Sequence, residues 1–151
     1  MKTVDRTSVR GTITRAFEIA SEVERWPEFL PHYRWVRMLT KSGDSGLVEM
    51  AAWRPFGVLK YPTWWVSEMT VVPHEFKVLY KHVEGITTGM DVEWRLTEVD
   101  GTVDITISHE WAGPKWPLIG KLAAELVIGP VFVHAIAGRT LAGVKTQAEQ
   151  E

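Results

Sequence analysis

The sequence predicts an α+β fold, in which a curved antiparallel sheet of about seven strands surrounds one long C-terminal helix and two short helices follow the first strand. Three observations predict it. Between residues 33 and 111 the apolar positions alternate with a period of two, and the runs are broken by turn signals at "SGDSG", "PFG", "VPHE", "EGITTG" and "VDG". Near the C-terminus, Leu122, Leu126, Pro130, Val133, Ala137, Leu141 and Val144 recur at three- and four-residue steps, the stripe of a helix that covers a sheet. Before the alternation, the stretch from residue 12 to residue 31 carries helix starts and helix stops in place of strand signals.

Each element follows from its residues. "KTVDRTSVRG" reads as a first strand ended by glycine. In "TITRAFEIASEVERW", Thr12 or Thr14 is the N-cap and Phe17, Ile19, Ala20 and Val23 form the apolar stripe. Proline at position 27 permits only a turn or a helix start, so "WPEFLP" is a second short helix that stops before Pro31. Among the strands, Phe76, Val78, Tyr80 and His82 share a face, as do Met90, Val92, Trp94 and Leu96. The same parity groups Val103, Ile105, Ile107, His109 and Trp111, with Thr102, Asp104, Thr106, Ser108 and Glu110 pointing to water. The last helix runs from after "GPKWP" to about residue 148, with a kink expected at Gly129-Pro130.

At 151 residues the chain fits a single domain spanning 1–151. With 17 Lys+Arg against 19 Asp+Glu it lacks the basic field of a nucleic-acid binder, so no nucleic acid is expected as partner. It has no cysteine, which removes disulfides, thiolate metal sites and thiol nucleophiles and fits a cytoplasmic location. The N-terminus lacks the apolar core of an export signal. The most apolar window, residues 122–138, is interrupted by Glu125, Pro130 and His134 and is shorter than a membrane span, so it reads as a buried helix. His32, His74, His82, His109 and His134 show no metal-ligand spacing, and neither a metal nor another cofactor is expected.

The order of elements, together with "EVERWPEFLPHYRWVRML", resembles the polyketide cyclase/dehydrase and coenzyme Q-binding START-like family of the helix-grip superfamily. The residues that carry the likeness are Trp26, Pro27, Glu28, Phe29, Leu30 and Pro31, with support from "MDVEWRLTEVDGTVDITISHEW" and "VIGPVFVHAIAGRTLAGVKTQAE". The resemblance implies a cavity for a hydrophobic small molecule between sheet and C-terminal helix. It implies either an aromatase/cyclase-like enzyme that promotes aldol cyclisation and dehydration of a polyketide, or a carrier of lipid or isoprenoid quinone without chemistry.

The residues supply candidates for both versions. His82 and His109 fall on inward faces by parity, where a buried ring needs a partner in the protein or in a ligand. If they meet Tyr80 in one cavity, a neutral histidine can take a proton alpha to a carbonyl and the phenol can polarise the oxygen. Arg54 faces inward if Val48, Met50 and Ala52 do, and can hold an anion at the mouth; the opposite register puts Trp53 and Glu49 inside. Trp26, Phe29, Trp35, Trp65, Trp94 and Trp111 are the aromatic wall candidates, with Trp64 facing away, and Leu126, Val133 and His134 are the helix candidates. Plain core packing explains any single ring; eight tryptophans together point to a lined pocket. On a straight helical wheel, Ile128, Phe132 and Ile136 leave the sheet-facing stripe, which predicts a dimer contact or membrane-docking edge unless the proline kink turns them inward.

Overall fold

The computed structural model describes residues 2–56, 59–85, 87–112 and 130–150, with the side chains at 54–56, 59–61 and 130–132 outside the description. β1 (Lys2–Arg10) leads into α1 (Ile13–Ser21), a 3-10 turn (Val23–Arg25) and α2 (Trp26–Phe29). There follow β2 (Tyr33–Ser42), β3 (Ser45–Phe56), β4 (Leu59–Val72), β5 (Lys77–Gly85), β6 (Asp91–Val99) and β7 (Thr102–Glu110), and then α3 (Pro130–Glu149). The seven strands form one curved antiparallel sheet in the order β1-β7-β6-β5-β4-β3-β2, so β1 and β2 are its edges. The expected kink at Gly129-Pro130 and the start of the long helix lie outside the described residues.

Local chemistry explains the starts and stops. Thr12 caps α1 by accepting the Arg15 backbone N–H at 3.2 Å, and Ala16, Phe17, Ile19 and Ala20 are buried. Pro27 sits in the first turn of α2, where its missing N–H costs nothing. Leu30, which follows α2, is 1% exposed and seats against α3 at Gly143, where an added Cβ would collide with the Leu30 δ-methyl. That close approach pins the Trp26–Leu30 connector to the helix.

The core lies between the sheet and α3. Val78, Tyr80 and His82 are buried from β5, Val92, Trp94 and Leu96 from β6, and Val103, Ile105 and Ile107 from β7, in the expected parity. In β3 the inward set is Val48, Met50 and Ala52, and Glu49 lies on the outer face, where it accepts the Trp35 indole N–H at 2.9 Å. From α3 the sheet covers Val133, Ile136, Ala137, Thr140, Leu141, Val144 and Ala148. The exposed row expected through Ile128, Phe132 and Ile136 is therefore corrected at Ile136, which is 9% exposed. It stands one turn from both Val133 and Thr140, and a concave sheet buries a broader arc of helix than the single stripe the wheel anticipates. Ile128 and the side chain of Phe132 lie outside the described residues. Among the described residues, no helix is long and apolar enough to cross a membrane, which says nothing of strands.

Candidate functional site

A cavity opens between the concave face of the sheet and α3. Trp26, Tyr33, Met50, Trp65, Trp94 and Val133 supply much of its apolar wall, and Tyr80, His82, Thr87, His109 and Thr140 its polar groups. The space that a water molecule's centre can occupy is about 70 Å³.

Aromatic packing fixes the wall. The Trp26 indole donates to the Ile19 carbonyl at 3.1 Å, and its ring lies 5.2 Å from Tyr33 and 5.4 Å from Trp94. Trp65 stacks on His82 with ring centroids 5.7 Å apart and planes 3° from parallel. Sheet register then places the polar groups in rows. Tyr80 pairs with Val92, Val92 with His109, and His109 with Thr3, one transverse rung across four strands.

Burial sets the charge state of these groups. It lowers His82 to about 3, with the charge of His109 a second cause, and lowers His109 to about 4, with His134 second. Burial also lowers His32 to about 4, with Arg139 second, and pushes the Tyr80 and Tyr33 phenols up. At neutral pH these imidazoles and phenols are uncharged, so His82, His109, Tyr33 and Tyr80 line the cavity as hydrogen-bonding groups without a fixed charge among them.

Their partners differ. His82 Nδ1 bonds the Thr87 hydroxyl at 2.6 Å. Outside the cavity lining, His32 Nε2 bonds the Thr140 hydroxyl at 2.9 Å, and that hydroxyl donates to the Ile136 carbonyl at 2.8 Å. The threonine has spent its proton, so it accepts and His32 Nε2 donates. By contrast, Tyr80 Oη and His109 Nδ1 are buried without a hydrogen-bond partner, as are Ser67 Oγ, Thr3 Oγ1 and Asp5 Oδ2. Among the described residues no group of three or more His, Cys, Asp or Glu is placed to hold a metal.

The cavity thus brings together Tyr80, His82, His109, Trp26, Trp65, Trp94 and Val133 from the sequence candidates. Four candidates lie elsewhere. Trp35 is on the outer face, flanked by the guanidinium groups of Arg34 and Arg37 at 4.7 and 5.2 Å from its ring. A bulge between Tyr33 and Trp35 shifts the β2–β3 register, which turns Tyr33 inward and Trp35 outward against simple parity. His134 is 46% exposed on the side of α3 nearest β1, where its Nδ1 donates to Asp5 Oδ1 at 2.7 Å. Phe29, the last residue of α2, packs on the core, and the buried Trp111 donates to the Thr88 carbonyl at 3.0 Å, neither lining the cavity. Arg54 lies in β3, paired with Tyr61, but its side chain and Leu126 are outside the described residues.

Sequence reasoning missed Tyr33, Met50, Thr87, Ile136 and Thr140 as cavity residues. Met50 had its inward parity on the page, and Tyr33 had its place directly after the Pro31 connector. Thr87 and Thr140 carried no signal, since an isolated threonine in a turn or helix does not announce a buried hydroxyl.

Comparisons with known proteins agree with this architecture. The fold is similar to that of the ZhuI aromatase/cyclase from Streptomyces sp. R1128, at TM-score 0.84 and 17% identity, covering 99% of this chain and 93% of that one. It is also similar to the di-domain aromatase/cyclase StfQ of steffimycin biosynthesis, at TM-score 0.74 and 20% identity, over 98% of this chain and 50% of that one. A START superfamily protein from Mycobacterium smegmatis matches at TM-score 0.68 and 14% identity, over 97% of both chains. At these identities the likeness speaks to fold. A search of curated proteins by sequence finds no match. The sequence model of one family, described as polyketide cyclase/dehydrase and lipid transport, matches residues 10–131. The chain belongs to the polyketide cyclase/dehydrase and lipid transport family, with a helix-grip fold.

Proposed function

We propose that the chain binds a hydrophobic, oxygen-bearing small molecule, an aromatic or polyketide-like ring system, in the cavity between sheet and α3. One observation carries the proposal: Tyr80 is 6% exposed and lines the cavity, yet its hydroxyl has no partner. A buried orphan donor costs about 1–3 kcal/mol, a cost that a ligand carbonyl or hydroxyl relieves. The tryptophan rings offer flat apolar surface to the rest of the ligand. Since the enclosed space is small, a ligand of several rings widens it, and Met50 and Met90 in the wall are the side chains that repack most readily.

The test is native mass spectrometry of protein purified without detergent, with organic extraction of what leaves with it, followed by titration with a hydroxynaphthoquinone read by tryptophan quenching. Binding that weakens about 3- to 10-fold in Tyr80→Phe supports the reading, matching a net hydrogen bond of about 0.5–1.5 kcal/mol. Unchanged affinity in Tyr80→Phe sinks it. A co-purified lipid or isoprenoid quinone makes the protein a carrier.

A second reading, aldol cyclisation, is favoured by membership in the polyketide cyclase/dehydrase family. In it, neutral His109 takes a proton from the carbon between two ligand carbonyls, that carbon bonds to a third carbonyl carbon, and the alkoxide so formed takes a proton before water leaves. It stands second for a physical reason: a histidine held at about 4 is a weak base at neutral pH. Conversion of a poly-β-ketone to an aromatic product, lost in His109→Ala, would raise it to first.

A further inference from the structure

The corner between β5 and β6 closes one nitrogen of His82 and leaves the other open. His82 Nδ1 lies 2.6 Å from the Thr87 hydroxyl, and the two residues are 7% and 3% exposed. The ring stacks on Trp65, which fixes its plane. Backbone hydrogen bonds hold Thr87 in place: the Gly89 N–H donates to the His82 carbonyl at 2.9 Å, the His82 N–H to the Met90 carbonyl at 2.9 Å, and the Met90 N–H to the Thr87 carbonyl at 3.0 Å. The Trp111 indole pins the next residue by donating to the Thr88 carbonyl at 3.0 Å. His82 Nε2 has no hydrogen bond among the described residues, yet unlike Tyr80 Oη and His109 Nδ1 it is not sealed from solvent. In a ring that lines the cavity, the open space it meets is the cavity.

Counting protons fixes the direction of the short bond. Burial keeps the imidazole uncharged at neutral pH, so it carries one proton on one nitrogen. If Nδ1 carried it, Nδ1 would donate to Thr87, whose own proton would find no acceptor among the described residues while Nε2 stood bare. Two groups in the wall would then be unmet. If Thr87 donates to Nδ1, its single proton is used and the imidazole proton sits on Nε2, the one group left unmet. Each unmet buried group is costly, so the second arrangement is the stable one.

We propose that Thr87 is a positioning residue that holds His82 as its Nε2–H tautomer, so that His82 offers a hydrogen-bond donor to a carbonyl oxygen of the ligand. This rests on the proposed binding of an oxygen-bearing molecule in the cavity, and it narrows that molecule. Tyr80, two residues earlier on the same face of β5, offers a hydroxyl proton as well. Two donors on one strand suit a ligand whose oxygens are carbonyls, such as a quinone, over one whose hydroxyls must themselves find acceptors.

The test is a long-range proton–nitrogen correlation spectrum of histidine-labelled protein at neutral pH without ligand, with His82 assigned by the signal lost in His82→Gln. A single Nε2–H form is expected in the wild type, a mixture of both tautomers in Thr87→Val, and the single form again in Thr87→Ser. A wild-type His82 protonated on Nδ1 overturns the proposal, and so does a tautomer unmoved in Thr87→Val. If Thr87→Val does not fold, the wild-type spectrum still decides. Titration with hydroxynaphthoquinone reads the consequence: binding about 3- to 10-fold weaker in Thr87→Val and restored in Thr87→Ser. Equal affinity in all three proteins overturns the positioning role. Because the spectrum is taken without ligand, a protein that binds no hydroxynaphthoquinone sinks the binding proposal and leaves the tautomer to be decided by the spectrum.

Discussion

Two polar regions of the cavity wall are buried alike and wired differently. At the corner after β5, His82 bonds Thr87 and stacks on Trp65. Along the rung through Tyr80 and His109, two polar atoms are sealed from water with no partner. At the corner the buried imidazole is uncharged at neutral pH and its Nδ1 is hydrogen-bonded. The rung is left incomplete, and incompleteness in an otherwise well-packed wall is what a ligand site looks like before its ligand arrives. Burial of a histidine is thus a poor guide to its role; the state of its hydrogen bonds is a better one.

Four expected outcomes press on that contrast. The largest belongs to the corner: Trp65→Ala removes the ring under His82 and should lower stability by about 3–5 kcal/mol in urea denaturation. A loss below about 1 kcal/mol would mean that the stack holds nothing together.

Acid comes next. His82, His109 and His32 have folded values of about 3, 4 and 4 against an ordinary 6.5, so the unfolded chain binds their protons first. Stability is full above about pH 6.5 and falls as pH drops from there toward the folded values. His82→Gln should flatten part of that slope; an unchanged slope would place the acid sensitivity elsewhere.

Thr87→Val should cost about 1–3 kcal/mol, because it strands the bonded nitrogen of His82 in the wall. Tyr80→Phe should do the opposite and leave stability within about 0.5 kcal/mol of wild type or slightly above, since it deletes an orphan. If Tyr80→Phe destabilised as much as Thr87→Val, the two regions would be equivalent and the contrast would fail.

Much of this architecture could be read from local pattern. The period-two runs of β5, β6 and β7 gave their inward faces residue by residue, and with them Tyr80, His82, Trp94 and His109. The helix stripe through Val133, Ala137, Leu141 and Val144 was legible for the same reason, as was the Trp26 connector, where proline chemistry limits the choices. Parity failed at Trp35, because a bulge is set by the β2–β3 pairing and not by the strand's own composition. The helical wheel failed at Ile136, because how wide an arc of helix is buried depends on the curvature of the sheet around it.

The sequence by itself determined which residues alternate, which recur at helical spacing and where the chain turns, because each of these is decided by neighbours a few positions away. Only the tertiary structure decided which polar groups meet. His32 finds Thr140, His134 finds Asp5, and Thr3 comes to lie opposite His109, all across more than a hundred residues. Strand order and helix placement set those meetings, and composition does not encode them. The same long-range register left Tyr80 without a partner, and that vacancy in its hydrogen bonding is where the proposed ligand binds.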